Sequence, residues 1–318
     1  MSTMRFDIVG LGVLLAAGLL LAVAFIVWRT AWRLRHPPRR GYAWALAKGL
    51  PGEPSELRTP RTFVAWEVEH EGARLPVWDV RGDVAEGPVV VMTPGWGDSR
   101  VGGLARLPVI ARSASRVVMW DPAGLGDSTS SRGRGEVKWS MGTDEHVALM
   151  RVLEEARARE EWGGRAVVLF GWSAGGGTSI VAGAMEEGQG LGVRGVIAEA
   201  PYREAWTPAF NVLRLAGMPW RVTGPITFGV LGARLGLGAR WGGFDRAEHA
   251  ARLRVPLLLI HGDADEVCPV EDSRGIREAA RDAELVEIPG AGHNNVWTEE
   301  GHAERAGEAL RAFLSRMR

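Results

Sequence analysis

The chain has 318 residues, 46% hydrophobic and 24% charged, an ordinary globular composition with room for one large α/β domain or two small ones. Basic and acidic residues balance at 38 each, so no net field steers the protein toward an acidic polymer, and nucleic acid is not an expected partner. Cys268 is the only cysteine, which excludes an intrachain disulfide and a cysteine-based metal site.

Ile8 to Trp28 is an uncharged run of 21 residues rich in Leu, Val and Ala, long enough to cross a hydrocarbon core of roughly 30 Å as a helix. Two other readings compete. One is a buried core helix. The other is a cleaved signal peptide, with Met1–Arg5 as its n-region and small residues at Ala22-Val23-Ala24. The apolar run continues through Phe25-Ile26-Val27-Trp28 into Arg29, Arg33, Arg35, Arg39 and Arg40, a stop-transfer pattern, so residues 1–30 are read as a transmembrane anchor. Five arginines after the run against one before it put the rest of the chain on the cytoplasmic side. Residues 31–60 carry Pro37-Pro38, Pro51-Gly52 and Pro54 without periodicity and predict a juxtamembrane linker, or an irregular strap along the domain that follows at 61–318.

Thr62–His70 and Arg74–Val80 alternate as two strands of an antiparallel hairpin around Glu71-Gly72. Then the pattern changes. Pro88–Met92, Arg116–Trp120, Ala166–Phe170, Val193–Ala198, Val255–Ile260 and Leu285–Ile288 are short, unbroken apolar runs, as expected of parallel strands covered on both faces. Helical spacing lies between them, at Val147, Met150 and Leu153 and at Ile180 and Val181. A last helix carries Ala306, Leu310, Phe313, Leu314 and Met317. The expectation is an α/β fold, a mostly parallel eight-stranded sheet with helices on both faces. Tyr202 to about Ala250 holds no strand but carries Trp206, Phe210, Leu213, Leu215, Trp220, Phe228, Leu231 and Leu235, and reads as an insertion on the sheet.

Gly171-Trp172-Ser173-Ala174-Gly175 follows the run Val167–Phe170 and precedes a helix, the G-x-S-x-G pattern of a strand turning sharply so that a serine is exposed. A serine hydroxyl needs a base and a group that orients the base. Of seven histidines, His293 stands out, in the glycine loop Pro289-Gly290-Ala291-Gly292-His293-Asn294 after the last strand, on the sheet edge that also carries Ser173. Three carboxylates, Asp263, Asp265 and Glu266, follow the strand ending at Ile260, and Glu199 ends an earlier one. The Ala174 amide, next to the serine, is one donor for a developing oxyanion.

The stretch His261-Gly262-Asp263-Ala264-Asp265 resembles the H-G-x-x-D segment of the α/β-hydrolase superfamily, and the resemblance makes Asp265 the third triad member, with Asp263 a turn residue and Glu266 a solvated charge. Thr93-Pro94-Gly95-Trp96-Gly97-Asp98 resembles that family's H-G-x-G loop, with Pro94 where histidine is usual, and implies the Trp96 amide as the second oxyanion donor. Asp121 to Ser128 resembles another segment of the family, after its fourth strand. The likeness runs from about Thr62 to Met317 in the family's order and makes 202–250 a short cap. Such caps occur in small-capped serine esterases of the prolyl oligopeptidase-like branch.

Together these residues predict a membrane-anchored serine hydrolase acting on an apolar or amphipathic carboxylic ester, with Ser173 as nucleophile, His293 as base, Asp265 as orienting acid and no metal or organic cofactor. A peptidase, thioesterase or acyltransferase would use the same triad, and a non-catalytic interaction protein would keep the fold alone. The cap's apolar residues either line an acyl pocket or pack its helices onto the sheet. Trp172 reads as core, Trp96 as core and substrate contact together, and Cys268 as a small buried apolar residue. Arg203, Arg214, Arg221, Arg234 and Arg240 against the single Glu204 before Gly243 make this part of the cap basic as well as apolar, suited to lie on a lipid surface.

Overall fold

The computed structural model describes residues 8–131, 138–159, 164–185 and 190–317, so the Met1–Arg5 n-region lies outside the described residues. It opens with helix α1 (Ile8–Arg35), whose leucines at 14, 15, 19, 20 and 21 are each about two-thirds or more exposed. A stretch so apolar and so unpacked is no core helix, and its length and composition suffice to cross a membrane. Only its C-terminal part is buried, through Val27, Thr30, Ala31 and Leu34.

The segment that follows is a strap along the domain with a short helix, α2 (Tyr42–Ala47), and one 3₁₀ turn (Pro54–Glu56). It is tied to the domain by the Arg39 guanidinium, which donates to the Gly126 and Ser128 carbonyls, and by Ser99, whose hydroxyl donates to the Arg40 carbonyl at 2.5 Å.

Strands β1 (Phe63–His70) and β2 (Ala73–Arg81) form the antiparallel hairpin turning at Glu71-Gly72. Then come β3 (Val89–Thr93), α3 (Leu107–Ala111), β4 (Arg116–Trp120), the two-residue β5 (Thr129–Ser130), α4 (Glu145–Arg159), β6 (Val167–Trp172), α5 (Ala174–Ala184) and β7 (Val193–Glu199). The cap supplies α6 (Trp206–Leu215), α7 (Trp220–Arg234) and α8 (Arg246–Ala250). The chain closes with β8 (Leu257–Gly262), α9 (Val270–Ala279), β9 (Ala283–Ile288) and α10 (Glu300–Ser315).

Eight strands lie in the order β1-β2-β4-β3-β6-β7-β8-β9, and β5 pairs beside β2 off that path. From β3 through β9 all neighbours except those of β2 are parallel. Alternation within each apolar run feeds two cores. Val89, Val91, Val167, Leu169, Leu257 and Leu259 face Leu149, Leu153 and Ile180 of α4 and α5, while Val90, Met92, Val168, Phe170, Leu258 and Ile260 face α3 and α10. That two-sided burial is why these strands are apolar throughout. In α4 the buried face is Leu149, Met150, Val152 and Leu153, and Val147, expected on it, is 42% exposed.

Chain order reverses at β3, which pairs β4 on one side and β6 on the other, with Thr93 opposite Gly171. The loops leaving β3 and β6 therefore start side by side, at the switch point where open parallel sheets bind ligands.

Candidate active site

Ser173 sits between β6 and α5 at φ 54 and ψ −120, a left-handed conformation that a residue with a side chain adopts only under constraint. Its neighbours supply the constraint. A Cβ on Gly171 would stand 2.1 Å from the Gly175 carbonyl oxygen, and one on Gly175 would stand 2.1 Å from that of Thr93. Only glycine lets strand, turn and helix pack this closely. The Ser173 amide donates to the Glu199 carbonyl at 2.8 Å, tying the turn to the end of β7.

His293, after β9, and Asp265, after β8, meet the serine on this edge. The His293 Nδ1–H donates to Asp265 Oδ2 at 2.7 Å, and its Nε2 accepts from the Ser173 hydroxyl at 3.2 Å. Asp265 is itself held fast, since Oδ1 accepts from the Val267 and Cys268 amides at 2.8 Å each. Behind it, the buried His261 bridges the Ser273 hydroxyl and the Cys268 carbonyl, with its Nε2 3.4 Å from Asp265 Oδ2. Burial pushes the Asp265 carboxyl up, but hydrogen bonds with His261 and His293 outweigh it and hold the group well below the usual carboxylate range. Burial disfavours the His293 imidazolium, and the negative charge that Cys268 and Asp265 can carry opposes burial, leaving its pKa well above the ordinary histidine value. Burial also raises the Cys268 thiol, so the anion beside His293 at neutral pH is the Asp265 carboxylate.

Glu199 has another occupation. Its carboxylate takes two hydrogen bonds from Arg106, the Nε one at 2.7 Å, and one from the Trp297 indole at 2.7 Å, so it is a buried brace and not the orienting acid. Asp263 accepts from the Gly290 amide at 2.7 Å, linking the two loops, and Glu266 is exposed.

The loop after β3 turns through Gly97 at φ 70, with the Asp98 amide donating to the Gly95 carbonyl. Among the described residues, the Trp96 and Ala174 amides donate to no protein acceptor, which leaves both available to a ligand beside Ser173. Pro94 removes the side-chain support that a histidine would give, and other groups replace it. The Trp172 indole donates to Asp98 at 2.9 Å, and the Trp96 indole donates to the Leu34 carbonyl, in the last turn of α1, at 3.0 Å. This last contact was not legible in the sequence. Asp121 is buried and takes the Arg100 amide, the Arg100 guanidinium and the Asp127 amide, so the segment 121–128 is scaffold for the neighbouring loop.

Ser173 and His293 open into a cavity of about 210 Å³. Its walls are the loop residues Gly95 and Trp96, the small cap residues Ala205, Pro208, Ala209 and Val212, the side chains Trp139, Met141 and Tyr202, and, from the N-terminal segment, Leu34 and Arg40. Trp172 lines it too, although the sequence suggested only core. The large residues of the cap helices do not. Phe210, Phe228, Trp241 and Phe244 stack edge and face on one another and pack the cap together.

Asp265, Cys268 and His293 place metal-ligand atoms within 4.8 Å of one another, but the carboxylate and the imidazole already spend them on each other. What the geometry can do is remove the Ser173 proton through His293, in a site whose neighbouring Trp96 and Ala174 amides have no backbone acceptor among the described residues.

A sequence profile of the alpha/beta hydrolase family matches residues 89–309. The human protein ABHD12B is 26% identical over 248 residues, 72% of this chain and 64% of that protein, so the chain spans 64% of the length of this relative. Among solved structures, a Pyrococcus furiosus esterase has the same fold at a TM-score of 0.65 and 17% identity, over 90% of this chain and 98% of its own. The acylaminoacyl peptidase of Pyrococcus horikoshii shares it at a TM-score of 0.61 and 16% identity, over 83% of this chain and 42% of its own.

Proposed function

The chain belongs to the alpha/beta hydrolase family, and from that premise we propose that it is a membrane-anchored serine hydrolase that cleaves carboxylic esters of apolar or amphipathic acids. The observation that carries the reading is Ser173 at a strained turn, 3.2 Å from His293 Nε2, at the floor of a largely apolar cavity. Ser173 attacks the ester carbonyl as His293 takes its proton. Asp265 holds the imidazole in the tautomer whose Nε2 can accept and stabilises the imidazolium that forms. The Trp96 and Ala174 amides receive the tetrahedral oxyanion, His293 returns the proton to the leaving alcohol, and a water, activated the same way, releases the acid.

The cavity supports an ester with a modest apolar acyl group: most of its lining side chains are Leu, Ala, Pro, Val, Trp and Met, and the polar ones are Ser173, His293, Arg40, Asp98, Tyr202 and Asn294. The exposed apolar part of α1 followed by five arginines supports a single-pass anchor with the hydrolase domain in the cytoplasm. The esterase among the structural neighbours favours esters, and the peptidase keeps peptide bonds in the test. A panel of p-nitrophenyl esters, thioesters and acyl peptides, run on the full-length protein in detergent, decides. Ester turnover that is abolished by Ser173→Ala is expected, whereas turnover of peptides alone, or of esters by the Ser173→Ala variant, refutes the proposal.

A further inference from the structure

On the reading that α1 spans a bilayer, we propose that cap helix α7 is a second lipid-contacting element, lying in the cytoplasmic face of the membrane beside the anchor and holding the cavity at the outer edge of the headgroup layer.

The first observation is where α1 touches the domain. It packs along α7, and its side chains wholly or partly withdrawn from solvent are Val23, Ile26, Val27, Thr30, Ala31, Leu34 and Arg35, one face at helical spacing. Three of these, Val23, Ile26 and Val27, belong to the uncharged run that ends at Trp28. At the helical rise, Val23 lies about 8 Å inside that end. If the uncharged run fills the hydrocarbon, whatever packs on Val23 and Val27 is carried to the same depth. Interfacial helices bury their apolar faces about 5–10 Å into the boundary, and the two depths agree.

The second observation is independent of α1. The face that α7 turns away from the domain is Val222, Pro225, Ile226, Val230 and Ala233, all exposed and all uncharged, with Val222 at 61% and Ile226 at 46% exposure. An arginine stands at each end of this stripe, Arg221 and Arg234, and both are exposed. From Ala205 to Phe244 the cap carries four arginines and no acidic residue. A helix with an unpacked apolar stripe ended by cations suits one partner: a lipid layer, with the stripe among acyl chains and the arginines among phosphates. The stripe belongs to the helix that packs on α1, whose own leucines are exposed, and a single lipid layer is the occupant proposed for both.

The placement has a consequence for the reaction. Leu34, which walls the cavity, lies about 9 Å beyond Trp28 along the helix. The headgroup layer is roughly 5–8 Å thick, so this wall of the cavity stands at its outer edge. An amphiphile could then present its ester to Ser173 without leaving the membrane.

Environment-sensitive labelling tests this on the full chain, because the native Cys268 is fully buried and stays in place. Four single variants, Leu15→Cys in the span, Val222→Cys and Ile226→Cys on α7, and Val147→Cys on α4, carry an NBD dye in phosphatidylcholine vesicles with or without doxyl-labelled lipid. The inference expects blue-shifted emission and doxyl quenching at 15, 222 and 226, and water-like emission at 147. Quenching at 15 with water-like signals at 222 and 226 overturns this inference and leaves the anchor standing. A water-like signal at 15 overturns the anchor and this inference with it, while the ester panel above tests the hydrolase separately.

Discussion

Replacing Asp265 with asparagine exchanges one carboxylate oxygen for an NH₂ and changes almost nothing in shape. Oδ1 of Asp265 accepts from two backbone N–H groups at 2.8 Å each, so only the oxygen of an asparagine amide fits there. Its NH₂ is then forced into the place of Oδ2, 2.7 Å from His293 Nδ1. Turning the amide over would set its NH₂ against both backbone donors and lose both bonds. Donor cannot face donor, so His293 moves its proton to Nε2, where it points at the Ser173 oxygen 3.2 Å away. The base has become a donor. The wrong tautomer costs about 10⁴ in kcat, or about 5 kcal/mol of transition-state stabilisation. KM should change little, because no contact lining the cavity is altered. The assay is steady-state hydrolysis of a short p-nitrophenyl ester, with circular dichroism to establish that Asp265→Asn is folded. A folded variant that keeps more than a tenth of wild-type kcat refutes the assignment of Asp265.

Other outcomes follow from the same geometry. Trp96→Phe keeps an aromatic side chain but loses the hydrogen bond to the Leu34 carbonyl, which fixes the oxyanion loop against α1; about 1 kcal/mol of lost positioning should lower kcat about five-fold, and an unchanged kcat would show that the bond is idle. Gly175→Ala sets a methyl 2.1 Å from the Thr93 carbonyl oxygen, with backbone on both sides, and should destabilise the fold by about 1–3 kcal/mol; urea denaturation reads this, and an unchanged midpoint contradicts it. Because His293 must be neutral to act and its pKa is raised, kcat/KM should fall as pH falls, with a midpoint above the ordinary histidine value of about 6.5. A pH–rate profile with its acid limb centred below that value counts against the carboxylate–imidazole pair.

Much of the fold is legible in the residues because strands covered on both faces have no reason to be polar. Val167–Phe170 and Leu257–Ile260 alternate between two cores, and both cores are apolar. β5 escapes such a reading, since Thr129 and Ser130 make only two residue pairs with β2 and have no pattern to mark them. Ser173 and His293 are legible for the opposite reason: glycines around them announce turns that packing demands. The cavity is harder to foresee. Its cap wall is Ala205, Pro208, Ala209 and Val212, small residues whose role is to leave space, while the conspicuous Phe210 and Phe228 pack each other. The contact between Trp96 and Leu34 joins positions 62 apart through a backbone carbonyl, and a carbonyl leaves no trace in residue identity. Glu199 ends a strand on the right edge, as an acid should, and only the positions of Arg106 and Trp297 reveal that its oxygens are taken.

The central claim is that Ser173 is a nucleophile made reactive by His293. Full-length protein treated with a fluorophosphonate probe and digested for mass spectrometry tests it most directly. The account predicts a single adduct on the peptide carrying Ser173, absent in Ser173→Ala and strongly slowed in His293→Ala. A folded wild-type protein that takes no label, or takes it on another serine, contradicts the account.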